Sequence, residues 1–288
     1  MRRDNRTLER YQLAAEKLID YLLHDRPASI TDLNIQAGED PVVVRETVLP
    51  LVRALREHTG LGISVCLGTL PERVYAELRE SGADYYVIKI ETGDPVHYGR
   101  LQSPGNLSER LAAIRHLAAT GWEVSSGFIA GLPGQTTAEI LDTLGMLREL
   151  PLAGCSVSPF VPGPQTPLAE EPAGSLDLTL NCLALMRIDS PRRIIPAVSA
   201  MALRAEDGYV RALRAGANLA TINCTPVDVR GDYVLYQTDR VIMTEELILT
   251  QIERAGCTPS RVGVSETLGR RRSTGCGFTA RAGDLKRS

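Results

Sequence analysis

Charged and amide side chains recur at every second position in two short, otherwise apolar runs. In Ile30-Thr31-Asp32-Leu33-Asn34-Ile35-Gln36, alternation puts Asp32, Asn34 and Gln36 on one face and Leu33 and Ile35 on the other. In Tyr86-Val87-Ile88-Lys89-Ile90-Glu91, Lys89 and Glu91 share a face opposite Ile88 and Ile90. If the apolar sets meet covering helices, the polar sets point inward, where burial without a partner is costly. Such groups either satisfy one another or bind a ligand, and this many polar positions suit a large polar ligand. Ser125 or Ser126, Ser158, Ser199 and Asn223 are further inward candidates whose faces the period leaves open. Lys89 beside Glu91 also admits Schiff-base chemistry of the aldolase kind.

Loops that follow these runs carry a second signal. In Gln36-Ala37-Gly38-Glu39-Asp40-Pro41, Gly38 lets main chain approach a ligand and Glu39 offers a carboxylate. Alternatively, Glu39 and Asp40 are acids favoured at the start of the helix that Pro41 opens. Gly131-Leu132-Pro133-Gly134-Gln135-Thr136 lacks the lysine of a nucleotide phosphate loop, and its glycines suit a flat ring lying against main chain. The cysteines, Cys66, Cys155, Cys182, Cys224, Cys257 and Cys276, include no pair at metal-binding spacing, so the chain holds no zinc or iron-sulfur signature. Cys66 and Cys224 fall near the C-terminal ends of their strands, where barrel sites lie.

These residues need a scaffold of β/α units. Strand candidates are Ile30 to Ala37, Gly62 to Leu67, Asp84 to Thr92, Glu123 to Leu132, Gly154 to Val161, Arg193 to Met201 and Leu219 to Cys224, each followed by an amphipathic helical stretch. A helix from about Leu8 to Leu23 precedes them with no strand before it. The expected fold is an α/β, TIM-type (β/α)8 barrel lacking its first strand, with residues 1–264 as one domain and 265–288 as a disordered tail. A barrel so cut leaves Ile30 to Ala37 and Leu219 to Cys224 as unpaired edges.

Composition narrows the partners. At 43% hydrophobic and 23% charged, with a net charge of -3, the chain offers no basic surface for nucleic acid or an anionic membrane. Met1 to Arg10 does not lead into a signal-peptide core, and no apolar run reaches the roughly 18 residues of a membrane span, so a cytoplasmic location is expected.

Taken in order, the segments resemble the radical S-adenosylmethionine (SAM) enzymes of the biotin synthase group, above all FeFe-hydrogenase maturases of the HydE type and then methylornithine synthases. The matching pieces include Arg10-Tyr11-Gln12-Leu13, Gln36 to Asp40, Glu91-Thr92-Gly93-Asp94-Pro95-Val96-His97-Tyr98 and Gly131 to Thr136. They continue with Pro159 to Leu168, Ile195 to Met201 and Leu213 to Asn218, so that the similarity runs from about Asn5 to Leu268. Segments around Gln135, Pro162 and Asn223 to Pro226 look more like the maturase pattern.

The resemblance implies a 4Fe-4S cluster and SAM as cofactors, reductive cleavage of SAM to a 5′-deoxyadenosyl radical, electrons from a ferredoxin or flavodoxin, and a small-molecule or metal-complex substrate. By position it gives Glu39 to the methionyl ammonium of SAM, and Glu91, Arg110 and Lys89 to its other polar parts. Lys89 stands where the family often has arginine. Gly131 and Leu132 would support the adenine, and Ser199, Met201, Asn223 and Thr225 would line a substrate chamber. The family's CxxxCxxC motif is not in this chain, and its cysteines are expected upstream of Met1. A methylornithine synthase-like or biotin synthase-like radical enzyme acting on a small metabolite remains an alternative. So does a cluster-free barrel that binds SAM or another metabolite.

Overall fold

The computed structural model describes residues 12–101, 105–164, 166–226 and 241–273. Along the chain run α1 (Ala15–His24), β1 (Asp32–Gln36), α2 (Pro41–Val43), a π turn (Val44–Val48), α3 (Leu49–His58), β2 (Gly62–Cys66), α4 (Glu72–Glu80), β3 (Tyr85–Val87), α5 (Pro95–Arg100), α6 (Leu107–Ala119) and β4 (Glu123–Ala130). There follow α7 (Thr137–Glu149), β5 (Gly154–Pro159), α8 (Leu176–Asp189), α9 (Ala200–Arg204), α10 (Gly208–Arg214), α11 (Glu245–Arg254) and α12 (Val264–Ser273). Local chemistry sets the helix starts: Asn106 with Glu109 and Thr136 with Glu139 form capping boxes, while Asp40, Asp94, Ser175 and Thr244 cap with their own oxygens.

The strands make one parallel sheet in sequence order, β1 to β5, as βα alternation requires. Its register pairs Gln36 with Cys66, Ser64 with Tyr85, Tyr86 with Val124 and Ser126 with Cys155. The helix-covered face carries Ile63, Val65, Tyr86, Ile88, Ile90, Val124 and Phe128, packed with Val52, Leu55, Leu78 and Ile114 in the main core. Fully burying each large apolar side chain contributes about 1.5–3 kcal/mol. Tyr86 lies edge-on to both Tyr75 and Trp122, with ring centroids 5.2 and 5.3 Å away.

The sixth and seventh expected strands shrink to single bridges, Ile194 with Gly154 and Pro196 with Leu219. Pro196 has no N–H to give a ladder. Beyond Leu219 the main chain turns elsewhere: Thr221 N donates to the Tyr209 hydroxyl at 3.1 Å and Asn223 N to Met243 O at 2.8 Å. The result is an arc of a parallel barrel, its five strands prolonged by these two bridges.

The tail needs correction. Residues 264–273 are helical, and α12 seals the end of the arc where the strands begin. Val264 N donates to both carboxylate oxygens of Asp32, at 3.0 and 2.9 Å, and Ser265 Oγ donates to Asp84 at 2.9 Å. Leu268 packs with Tyr85 and Ile194 in a small apolar cluster separate from the main core. A single buried leucine and two carboxylate acceptors hold this segment, too few groups to leave a hydrophobic period. Residues 274–288, with Cys276, lie outside the described residues, as do Arg10 and Tyr11.

Candidate functional site

Register settles which side chains share the inner face of the arc. Asp32, Asn34 and Gln36 stand beside Gly62, Ser64 and Cys66, all opposite the helix-packed residues, as alternation predicts. Asn34 and Gln36 are exposed, and Ser64, Cys66, Lys89 and Glu91 are half-buried. Asn34 Oδ1 accepts from Ser64 Oγ at 3.0 Å, and Gln36 Nε2 reaches Cys66 Sγ at 3.8 Å. On β4 the inner serine is Ser125, bonded to the Tyr85 hydroxyl, whereas Ser126 sits on the opposite face, fully buried. Ser158 lies beside Ile129 on the inner face.

The open end is electrostatically dense. Burial pushes the Cys66 thiol up, opposed by Lys89, Gln36 and Arg110 and assisted by the Glu91 charge. Asp40 caps α2 by accepting from Val42 N at 2.9 Å, and Pro41 opens that helix. Glu39 is free of that duty. Its Oε1 accepts from Thr69 N at 3.0 Å and from Arg110 Nη2 at 3.2 Å. Arg110 is 6% exposed and donates through Nε to the Tyr98 hydroxyl at 3.4 Å. Burial alone would lower the guanidinium, but the Tyr98 bond and the Glu39 carboxylate outweigh it and raise its pKa. Among the described residues, both donors to the Glu39 carboxylate fall on one oxygen, so Oε2 keeps acceptor positions for a cation. A Cβ built on Gly38 would meet no protein atom within 4 Å, which leaves the adjoining main chain open to a ligand.

Other expected positions behave differently. Gly131 N and Leu132 N both donate to Gln135 Oε1, at 2.7 and 3.3 Å, and Gln135 Nε2 donates to Ile129 O at 3.1 Å. The turn thus satisfies the N–H groups of Gly131 and Leu132 from within. Ser199 is half-buried just before α9, and Asn223 Oδ1 accepts from Thr225 N at 2.9 Å in a local turn. Met201, expected to line a chamber, is 0% exposed in the main core, on the short helix α9 that packs against α10 and β5. Sequence alone does not mark Thr69, Tyr98 or Gln135 as site residues. Tyr98 and Gln135 fall inside motif segments, but their roles depend on contacts made after folding.

Among the described residues no group of three or more His, Cys, Asp or Glu could hold a metal ion. A cavity of about 580 Å³ lined by Arg56, Tyr75, Arg79 and Trp122 lies on the outer wall, away from this inner face. No described helix is long and apolar enough to cross a membrane.

A parallel barrel arc with a charged, open mouth at the strand ends defines a metabolite- or cofactor-binding α/β enzyme scaffold. The Radical SAM superfamily model matches residues 3–147, and this chain belongs to that superfamily. It is 32% identical over 271 residues to the FeFe hydrogenase maturase subunit HydE of Thermotoga maritima, covering 94% of this chain and 75% of that protein. It is 28% identical to 3-methylornithine synthase of Methanosarcina barkeri, over 88% of this chain and 73% of that one. The crystal structure of methylornithine synthase (PylB) superposes with a TM-score of 0.76 over 92% of this chain and 77% of that chain, at 24% identity. Enzymes of this superfamily use SAM and a 4Fe-4S cluster, cleave SAM reductively and require an electron donor.

Proposed function

We propose that this chain is the SAM-binding barrel of a radical enzyme of the FeFe-hydrogenase maturase branch, with Glu39 receiving the methionyl ammonium of SAM. The observation that carries this reading is the Glu39 carboxylate itself. Arg110 and Thr69 N hold it at the mouth by one oxygen, and the other can accept from an ammonium. Arg110, with further N–H donors, Lys89 and Glu91 would take the remaining polar parts of the ligand. Gly131 and Leu132 would offer the adenine their surface, since their N–H groups are engaged by Gln135. Ser199, Asn223 and Thr225 would flank the substrate, a small molecule or a metal complex, across the arc. SAM, bound with the family's 4Fe-4S cluster, supplies one-electron chemistry, with a ferredoxin or flavodoxin as electron source. The protein's part is to bind and orient SAM at the mouth. Identity of 32% along 94% of the chain supports the maturase branch.

Calorimetric titration with SAM tests the site. Glu39→Ala removes a charge-assisted contact and is expected to weaken binding by about 1.5–3 kcal/mol, roughly one to two decades in Kd. Unchanged affinity would remove Glu39 from the site.

A further inference from the structure

Among the described residues other than glycine, Glu91 alone has a left-handed backbone, with φ at 60°. Side chains disfavour that conformation because Cβ crowds the neighbouring carbonyl, so it persists only where the surroundings over-determine it. Two sets of contacts do so here. From inside the sheet, Ile90 N and Glu91 N both donate to Gly127 O, at 3.0 and 3.1 Å, and Ile129 N donates to Glu91 O at 2.9 Å. The doubled donation kinks the strand at Glu91, and β4 grips both polar groups of that residue's main chain. From outside the barrel, Gly93 N donates to Thr143 Oγ1 at 3.0 Å.

Thr143 stands in the helix layer, on α7, with 0% exposure. Its hydroxyl donates to Glu139 O at 2.7 Å, which commits the proton and turns a lone pair toward Gly93. The approach leaves no slack: a Cβ on Gly93 would lie 2.8 Å from Thr143 Oγ1 and 3.0 Å from Thr143 Cα. Thr92, between the strained residue and this anchor, is also 0% exposed. Asp94 then accepts from His97 N at 2.6 Å and starts α5.

We propose that Thr143 is a positioning residue for SAM: by holding Gly93 N it keeps the main chain kinked at Glu91 and sets the direction of the Glu91 carboxylate. This inference rests on the reading that Glu91 binds SAM. A helix residue on the outer layer thereby governs affinity at the mouth.

A double-mutant cycle on the full chain tests it, with SAM titration and thermal melts on each variant. Glu91→Ala should weaken SAM by roughly tenfold or more, as expected for loss of a charged partner. Thr143→Val, which leaves Gly93 N without its acceptor, should weaken SAM by roughly three- to tenfold, and Thr143→Ser should restore affinity to within about twofold. In the Glu91→Ala background, Thr143→Val should cause no further loss of affinity while lowering the melting temperature as much as it does alone. If valine is not tolerated, Thr143→Ala gives the same comparison without added bulk. Full affinity in Glu91→Ala would discard the Glu91 reading and this inference with it. A loss in Glu91→Ala together with an unaffected Thr143→Val, or an equal Thr143 effect with and without the Glu91 carboxylate, would overturn the role of Thr143 alone.

Discussion

Asp32 and Gln36 share one face of β1 yet serve opposite ends of the barrel. Asp32 is at the floor, where its carboxylate accepts from Val264 N and from Thr31 Oγ1 and so caps a helix from the far end of the sequence. Gln36 is exposed at the mouth beside Cys66. Around the floor lie Tyr85, Ile194 and Leu268, an apolar cluster, whereas around the mouth lie Glu39, Lys89, Glu91 and Arg110. Equal periodicity thus has unequal consequences. A polar face stays available for a ligand only where no later segment returns to cover it.

Disrupting the floor should have the largest effect on stability and the least on binding. Leu268→Asp would put a charge against Tyr85 and Ile194, and a loss of about 3 kcal/mol or more is expected from the buried contacts and the unpaired carboxylate together. Denaturant melts measure the loss. SAM affinity of the folded protein should be unchanged, and a parallel fall in affinity would mean that floor and mouth are not independent.

A finer comparison uses two residues of one strand face. Asp32→Ala removes the acceptor at the start of α12 and should cost about 1–2 kcal/mol, whereas Asn34→Ala, at an exposed position whose side chain bonds Ser64 Oγ, should stay within about 0.5 kcal/mol of the parent. Equal losses at the two positions would refute the distinction between covered and open ends of β1.

Much of this was legible from the residues. Alternation in Asp32 to Gln36 gave the inner face, and the β/α period gave the parallel order of the sheet. What escaped was set by contacts distant in sequence. Asp32 meets Val264 across 232 positions, so its duty at the floor leaves no trace in its own neighbourhood. Asp40 and Glu39 read alike as helix-start acids, and only the bonds to Thr69 N and Arg110 separate them. Thr143 reads as an ordinary helix residue, and Met201 as a residue at a strand end that could face a chamber. The sixth and seventh strands looked regular because hydrophobicity does not register the N–H that Pro196 lacks.

Asp84 provides the smallest and most specific test of the floor. It accepts from Ser265 Oγ at 2.9 Å and lies 3.7 Å from Arg56, yet its carboxyl is raised above the ordinary value of 3.8. Burial is the main cause, opposed by the Ser265 bond and Arg56 and assisted by the Asp32 charge. A carboxyl raised on folding keeps its proton where the unfolded chain has already lost it, so the folded state binds more protons in that window. Stability must then fall as pH rises from the unfolded value through the raised folded one. Charging Asp84 therefore weakens the floor. Asp84→Asn keeps an oxygen for Ser265 and discards the charge, so its melting temperature at pH 7 should exceed the parent's by an amount on the order of 2 °C or less. Near pH 3 or below, where Asp84 is protonated in both states, the two proteins should melt together. Paired melts across this range decide the matter: a variant no more stable at pH 7 would show that the charge of Asp84 does not weaken the floor, and a gap that persists undiminished in acid would show that the gain does not come from removing that charge.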